Sequence, residues 1–68
     1  MKIKVFVERT NQQRDMTIGT KTTMKVLLEQ MKINPVEVVL ARNGEVVTED
    51  AAIEDGDTIS IFSVISGG

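Results

Sequence analysis

The chain opens with strict alternation of apolar and polar positions. Between residues 2 and 8, the odd positions are aliphatic, and the even positions are charged apart from Phe6. Period-two alternation is typical of a strand with one buried face, so this segment is predicted as the first strand. A polar stretch follows over residues 9–13, and alternation resumes over residues 14–18 with Met16 and Ile18 on the inner side. The two segments are predicted to pair as an antiparallel hairpin.

The period then changes from that of a strand to that of a helix. Four apolar residues recur at the spacing i, i+3, i+4 and i+7, namely Met24, Leu27, Leu28 and Met31. This spacing predicts one amphipathic helix over roughly residues 23 to 32, with Thr22 or Thr23 as its N-cap. Methionines at such positions are more typical of a hydrophobic core than of a ligand site. Asn34-Pro35 is predicted to stop the helix, since the residue before proline disfavours the α conformation.

The second half of the chain again indicates strands. Residues 36–41 are mostly apolar, and Asn43-Gly44 follows them with a second short apolar segment at residues 45–47. Asn-Gly between two such segments is a strong signal for a two-residue hairpin. Residues 48–57 are predicted as a short helical turn or loop followed by a glycine-containing turn. A last strand is predicted from Thr58 to about Ile65.

These elements predict a single α+β domain. The order strand, strand, helix, strand, short strand, strand favours one sheet of four to five strands with the single helix packed across it. The first and last strands are expected to be central neighbours. A chain of 68 residues has room for one domain, so residues 1–68 are expected to form it, with a flexible tail at about residues 66–68.

Both aromatic rings fall on the face that alternation marks as polar. Burying Phe6 and Phe62 would need a one-residue register shift, which would expose the aliphatic face of the first strand instead. An apolar patch on a small domain is a common mark of a partner surface. The sequence therefore predicts a docking face, formed by Phe6, Phe62, Val64, Val39 and Ala41. Scattered exposed apolar residues are also normal for a folded protein, and they stand as the alternative.

Composition excludes several kinds of chemistry. The chain has no His and no Cys, so it lacks the usual general base, the best nucleophile and the best transition-metal ligands. Structural zinc, thiol redox chemistry and catalysis by the chain alone are therefore not expected, and the protein is expected not to be an enzyme. No apolar run reaches the length of a membrane span, and no leader or cysteine indicates secretion. A soluble, cytoplasmic protein is expected.

The charges are unevenly distributed along the chain. All eight Lys and Arg residues lie within residues 1–42, whereas residues 43–68 carry six acids and no base. The acids belong either to a solvated loop or to a surface that meets a basic partner. Nucleic acid is not expected as a direct ligand, because no basic stripe with interleaved aromatic residues is present.

The sequence ends in Ile65-Ser66-Gly67-Gly68, a second candidate for function. A terminal pair of glycines arises by chance in roughly 1 chain in 200. Two residues without Cβ atoms make a thin, flexible segment that can enter a narrow cleft and present an unhindered carboxylate. We expect Gly68 to be the reacting residue, with Ser66 and Gly67 as its flexible tail. The alternative is an ordinary frayed terminus.

Four motifs, taken in order, resemble the ThiS and MoaD group of sulfur carriers, which are relatives of ubiquitin and include the archaeal small ubiquitin-like modifiers. They are LLEQ at residues 27–30, ARNGEVV at 41–47, DGD at 55–57 and IFSVISGG at 61–68. The resemblance implies a ubiquitin-like β-grasp fold with a mixed sheet. The short chain and its final segment look closer to ThiS than to MoaD.

The resemblance also implies a reaction cycle carried out by partners. A ThiF/MoeB-like adenylating enzyme would use ATP to adenylate the carboxylate of Gly68, and a sulfur donor would convert it to a thiocarboxylate. A downstream sulfur-accepting synthase or tRNA-thiolating enzyme would then spend the sulfur on thiamine, molybdopterin or tRNA. The chain itself would bind no cofactor or metal. Two alternatives are a modifier conjugated to lysines through Gly68 and a passive β-grasp interaction module.

Overall fold

The computed structural model describes residues 1–64, which form one sheet and one helix. The elements are β1 (Lys2–Val7), β2 (Gln12–Thr17), α1 (Met24–Gln30), a 3-10 turn (Pro35–Glu37), β3 (Val38–Arg42), β4 (Glu45–Val47) and β5 (Thr58–Ser63). The sheet has five strands in the order β2-β1-β5-β3-β4. Within the described residues, no helix is long and apolar enough to span a bilayer. The predicted α+β architecture is confirmed.

The first and last strands lie side by side at the centre of the sheet. β1 and β5 are parallel, with Val5 opposite Ile59 and Val7 opposite Ile61. The two other contacts of this pair are antiparallel, β1 with β2 and β5 with β3, so the sheet is mixed. The predicted central pairing is confirmed.

The core lies between the inner face of the sheet and α1. The residues of the core are aliphatic or methionine, and each is at most 5% exposed: Ile3, Val5, Ile18, Met24, Leu27, Leu28, Leu40, Ile53, Ile59 and Ile61. Met31 packs against this cluster from the end of the helix. The predicted helix face and the alternation of the two central strands are therefore confirmed, and the methionines belong to the core.

The helix is shorter than predicted at its carboxyl end. Thr23 is the N-cap, and its side chain accepts a hydrogen bond from the Val26 amide at 3.4 Å. At the other end, the amides of Lys32 and Ile33 donate to the carbonyls of Glu29 and Leu28 at 3.1 and 2.9 Å, with Lys32 in the left-handed region at φ 60°. This Schellman arrangement ends the helix before Asn34-Pro35 is reached. The predicted stop at that pair is wrong, because the pair instead begins the 3-10 turn.

The β3–β4 hairpin has the predicted two-residue connection. Asn43 and Gly44 have φ values of 53° and 84°, and Arg42 pairs with Glu45 across the turn. Positive φ at both central residues is the requirement of a type I′ turn, which Asn-Gly meets with little strain. In the first hairpin, by contrast, β2 starts at Gln12, two residues earlier than expected.

The segment between β4 and β5 contains a loop rather than a helical turn. The carbonyls of Ala51 and Glu49 accept hydrogen bonds from the amides of Met24 and Lys25, both at 2.9 Å. These amides belong to the first turn of α1, where no carbonyl of the helix itself can reach them. The loop therefore stabilises the start of the helix.

One acid of this region is neither solvated nor available to a partner. Asp57 is 6% exposed, and its carboxylate accepts hydrogen bonds from the Asn43 side-chain amide at 3.0 Å and from the Glu54 backbone amide at 2.8 Å. Arg42 lies 3.6 Å away as an ion-pair partner. Both predicted roles of the acidic stretch are wrong for Asp57, because its carboxylate joins the β3–β4 turn to the start of β5.

Replacing Asp57 with Ala is expected to lower the free energy of unfolding by about 2 kcal/mol, because it leaves Asn43 and the Glu54 amide without their acceptor. Asp50→Ala is the matched control, since Asp50 is an exposed acid of the same loop, and its expected change is within about 0.5 kcal/mol. Urea denaturation measures both. Equal effects from the two variants would show that the Asp57 contacts add nothing beyond surface charge.

Candidate functional site

The outer face of the sheet, opposite the helix, carries apolar side chains. They come from β1 and from the three strands beyond it in the sheet, β5, β3 and β4. In β5, Ser60 lies between Phe6 of β1 and Ala41 of β3, and Ala41 pairs in turn with Val46 of β4. Side chains opposite one another on adjacent strands are close neighbours on the same face. This row therefore runs across the sheet from Phe6 to Val46.

A second row lies next to it towards the end of β5. Phe62 is directly opposite Val39 in the antiparallel β3–β5 pair, and it is diagonal to Phe6 across the parallel pair. The side chains of Phe62 and Val39 are 39% and 36% exposed, Val64 is 55% exposed, and Phe6 is half-buried. The prediction that both rings share the outer face is confirmed.

Ala41 does not offer the contact surface that was predicted for it. It lies on the outer face, paired with Ser60 on one side and Val46 on the other, but it is only 6% exposed. Val46, which sequence reasoning missed, is 72% exposed on the same face. A two-residue turn at Asn43-Gly44 places Val46, two residues after the turn, opposite Ala41, two residues before it. The predicted turn was therefore the signal that could have identified Val46. The outer apolar face is therefore Phe6, Val39, Val46, Phe62 and Val64.

The outer apolar face includes Val64, the residue directly before the carboxyl-terminal segment. The Val64 amide donates to the Glu37 carbonyl at 3.0 Å, one residue beyond the end of β5. Ile65 and the predicted reacting segment, Ser66, Gly67 and Gly68, lie outside the described residues. Four residues in a fully extended chain span at most about 14 Å. Residues 65–68, which follow Val64 in the sequence, therefore have a maximum reach of about that length.

The described residues offer few other sites. Within residues 1–64, no group of three or more acidic, His or Cys side chains is arranged to hold a metal ion. An open groove lies at the end of β1 and β5. Its charged lining residues have no net charge, because the two bases, Arg9 and Lys32, are matched by the two acids, Glu8 and Glu37. The outer apolar face and the segment that follows Val64 therefore form the best candidate site.

Comparison with known proteins identifies the family of the chain. The family model described as "ThiS family" matches residues 3–68, which includes the whole sheet except Lys2 and extends through the Gly-Gly end. The chain belongs to the ThiS family. Sulfur carrier protein TtuB of Thermus thermophilus is 29% identical to it over 62 residues, covering 91% of this chain and 95% of TtuB. This ThiS-family chain is thus a member of a family of sulfur carrier proteins.

Solved structures show the same fold. SAMP1 from Haloferax volcanii superposes with a TM-score of 0.75 at 16% identity and covers the whole of both chains. A Pyrococcus furiosus protein assigned as molybdopterin converting factor, subunit 1, gives a TM-score of 0.76 at 21% identity, covering 94% of this chain and 98% of that protein. The ubiquitin-like β-grasp fold expected from the resemblance is confirmed for this ThiS-family member.

Proposed function

We propose that this protein is a sulfur carrier whose Gly68 carboxylate is adenylated by a ThiF/MoeB-like activating enzyme and then converted to a thiocarboxylate. The observation that carries the proposal is the ThiS family match, which extends through the Gly-Gly end of the chain. The similarity to Sulfur carrier protein TtuB over nearly the full length of both chains supports it.

The chemistry suits a chain without its own catalytic groups. An oxygen of the Gly68 carboxylate attacks the α-phosphate of ATP, the bond to pyrophosphate breaks, and a mixed anhydride with AMP forms. The sulfur of a sulfide-level donor then attacks the carbonyl carbon and AMP leaves, so that one carboxylate oxygen is exchanged for sulfur. The chain has no His or Cys, and the base and the sulfur therefore come from partners.

The outer apolar face is the proposed docking surface for the activating enzyme. Phe62 and Val64 lie on this face and also lead directly into the segment that ends at Gly68. Burying these side chains against the enzyme fixes the start of the segment, and the reacting carboxylate is then confined to within about 14 Å of it. Such confinement replaces a bimolecular encounter with an intramolecular one, which accelerates the reaction. A downstream sulfur-accepting synthase or tRNA-thiolating enzyme is proposed to receive the charged carrier in the cytoplasm.

The proposal is tested by intact-mass measurement. The purified protein is incubated with ATP, a sulfide source and the activating enzyme of its native host. The expected product is heavier by the exchange of one oxygen for one sulfur atom, and the reaction requires ATP. A ladder of conjugates on lysines would instead show a protein modifier, which transfers the same activated acyl group to an amine. An unchanged mass with an active enzyme would leave only a passive interaction module.

A further inference from the structure

The 3-10 turn at Pro35–Glu37 holds the last described backbone contact of the chain, although it takes no part in the core. None of its residues is buried, and the side chain of Val36 is 79% exposed. Its Glu37 carbonyl nevertheless accepts the hydrogen bond from the Val64 amide at 3.0 Å. This bond extends the β3–β5 pairing by one position beyond Val38 and Ser63 and holds Val64, the last described residue.

The conformation of this turn depends on Asn34. The Asn34 side-chain oxygen accepts a hydrogen bond from the Val36 amide at 3.1 Å, and its backbone carbonyl accepts one from the Glu37 amide at 3.0 Å. The open groove at the end of β1 and β5 lies beside Asn34 and Glu37, so packing from that side does not hold the turn. At its carboxyl end the turn continues into β3, where Val38 pairs with Ser63. At its start, the local restraints are the restricted φ of Pro35 and the cap from Asn34.

We propose that Asn34 is a positioning residue for the activation of Gly68. Its side chain orients the turn, the turn orients the Glu37 carbonyl, and this carbonyl fixes the Val64 amide. The inference rests on the proposed function, because the direction of the segment matters when Gly68 must reach a reacting geometry in a partner enzyme. A misplacement of about 1 Å in such a geometry can lower a rate by about 100-fold.

The role predicted for Asn34 is separate from docking. Asn34 lies outside the outer apolar face, and the turn buries no side chain that would link it to the core. Loss of the cap is therefore expected to disturb the delivery of the carboxylate while docking and folding are retained. In kinetic terms, kcat for adenylation falls and KM stays nearly constant.

The structural half of the inference is tested without any enzyme. Amide hydrogen exchange of Val64 is measured by NMR in the wild type, Asn34→Ala and Asn34→Ser. In Asn34→Ala, exchange at Val64 is expected to be about five-fold faster, whereas exchange at Ile61 inside β5 is unchanged. Serine also caps well, so Asn34→Ser is expected to restore slow exchange. Equal exchange at Val64 in all three proteins would overturn the inference, whether or not the protein is a sulfur carrier.

The functional half uses the full chain with the activating enzyme and ATP. Asn34→Ala is expected to lower kcat about 10-fold with KM within two-fold, and Asn34→Ser to restore kcat. Val36→Ala is the control, because it removes an exposed side chain of the same turn and leaves the cap in place. A rise in KM alone would show that Asn34 contacts the enzyme directly, and so would failure of Asn34→Ser to restore kcat. Either result would overturn the proposal that Asn34 positions the segment. If the wild type itself is not adenylated, the proposed function fails, and this inference falls with it.

Discussion

Deletion of Gly68 is expected to lower the rate of adenylation by at least about 100-fold and to leave the fold unchanged. Removing one residue draws the terminal carboxylate back by roughly 3.5 Å, which is beyond any reacting distance for an enzyme that is shaped for the full segment. Among residues 1–64, the buried hydrophobic residues lie between Ile3 and Ile61, and the deletion removes none of them. The free energy of unfolding is therefore expected to change by less than about 0.5 kcal/mol.

Pyrophosphate release reports adenylation, and urea denaturation reports stability. The control variant is Ser66→Ala, which changes the same segment but keeps its length and its Gly-Gly end. It is expected to be adenylated at nearly the wild-type rate. Undiminished activation of the shortened chain would rule out Gly68 as the reacting residue, and loss of folding would show that the end of the chain belongs to the core.

Replacing Phe62 with Glu is expected to weaken binding to the activating enzyme by about 100-fold, or ~2.7 kcal/mol. Phe62 lies at the centre of the outer apolar face, opposite Val39 and beside the base of the reacting segment. A carboxylate at this position would lose its hydration in the complex, and an apolar contact surface offers it no hydrogen-bond donor or cation in return. Because the side chain is already 39% exposed in the free protein, the stability cost is expected to stay below about 1.5 kcal/mol.

Val26→Glu provides a matched control for this variant. Val26 is also 39% exposed, but it lies on the helix, on the other side of the sheet. The change in binding is expected to be within two-fold for Val26→Glu, as measured by calorimetric titration with the enzyme. Similar losses of affinity from both variants would point to a general effect of charge, and a collapse of stability in Phe62→Glu would place the ring in the core.

Local patterns predicted the parts of the fold that depend on local chemistry. Alternation over residues 2–8 placed Ile3 and Val5 in the core and Phe6 on the outer face, because side chains of a strand point alternately to its two sides. Asn43-Gly44 set the β3–β4 register, since few other residue pairs accept positive φ at both positions. The helix face followed in the same way from a spacing of three and four residues.

The features that the sequence did not predict depend on backbone conformation or on residues that meet only in the folded chain. Lys32 ends the helix in a left-handed conformation that lysine does not favour. The residue type at this position therefore did not predict the end of the helix. The burial of Asp57 depends on Asn43 and Glu54, which approach it only in the folded chain. For Ala41, the face was predicted correctly, but alternation assigns a side chain to a face and does not predict how exposed it is there.

The central position of β5 has a consequence for synthesis on the ribosome. Its neighbours are β1 and β3, so the middle of the sheet stays empty until residues 58–63 have emerged from the exit tunnel. The same strand carries Phe62, the centre of the proposed docking surface. A nascent or truncated chain without residues 58–63 thus lacks both a complete sheet and the proposed docking surface, and the proposed activating enzyme would meet this surface only on chains in which β5 has emerged.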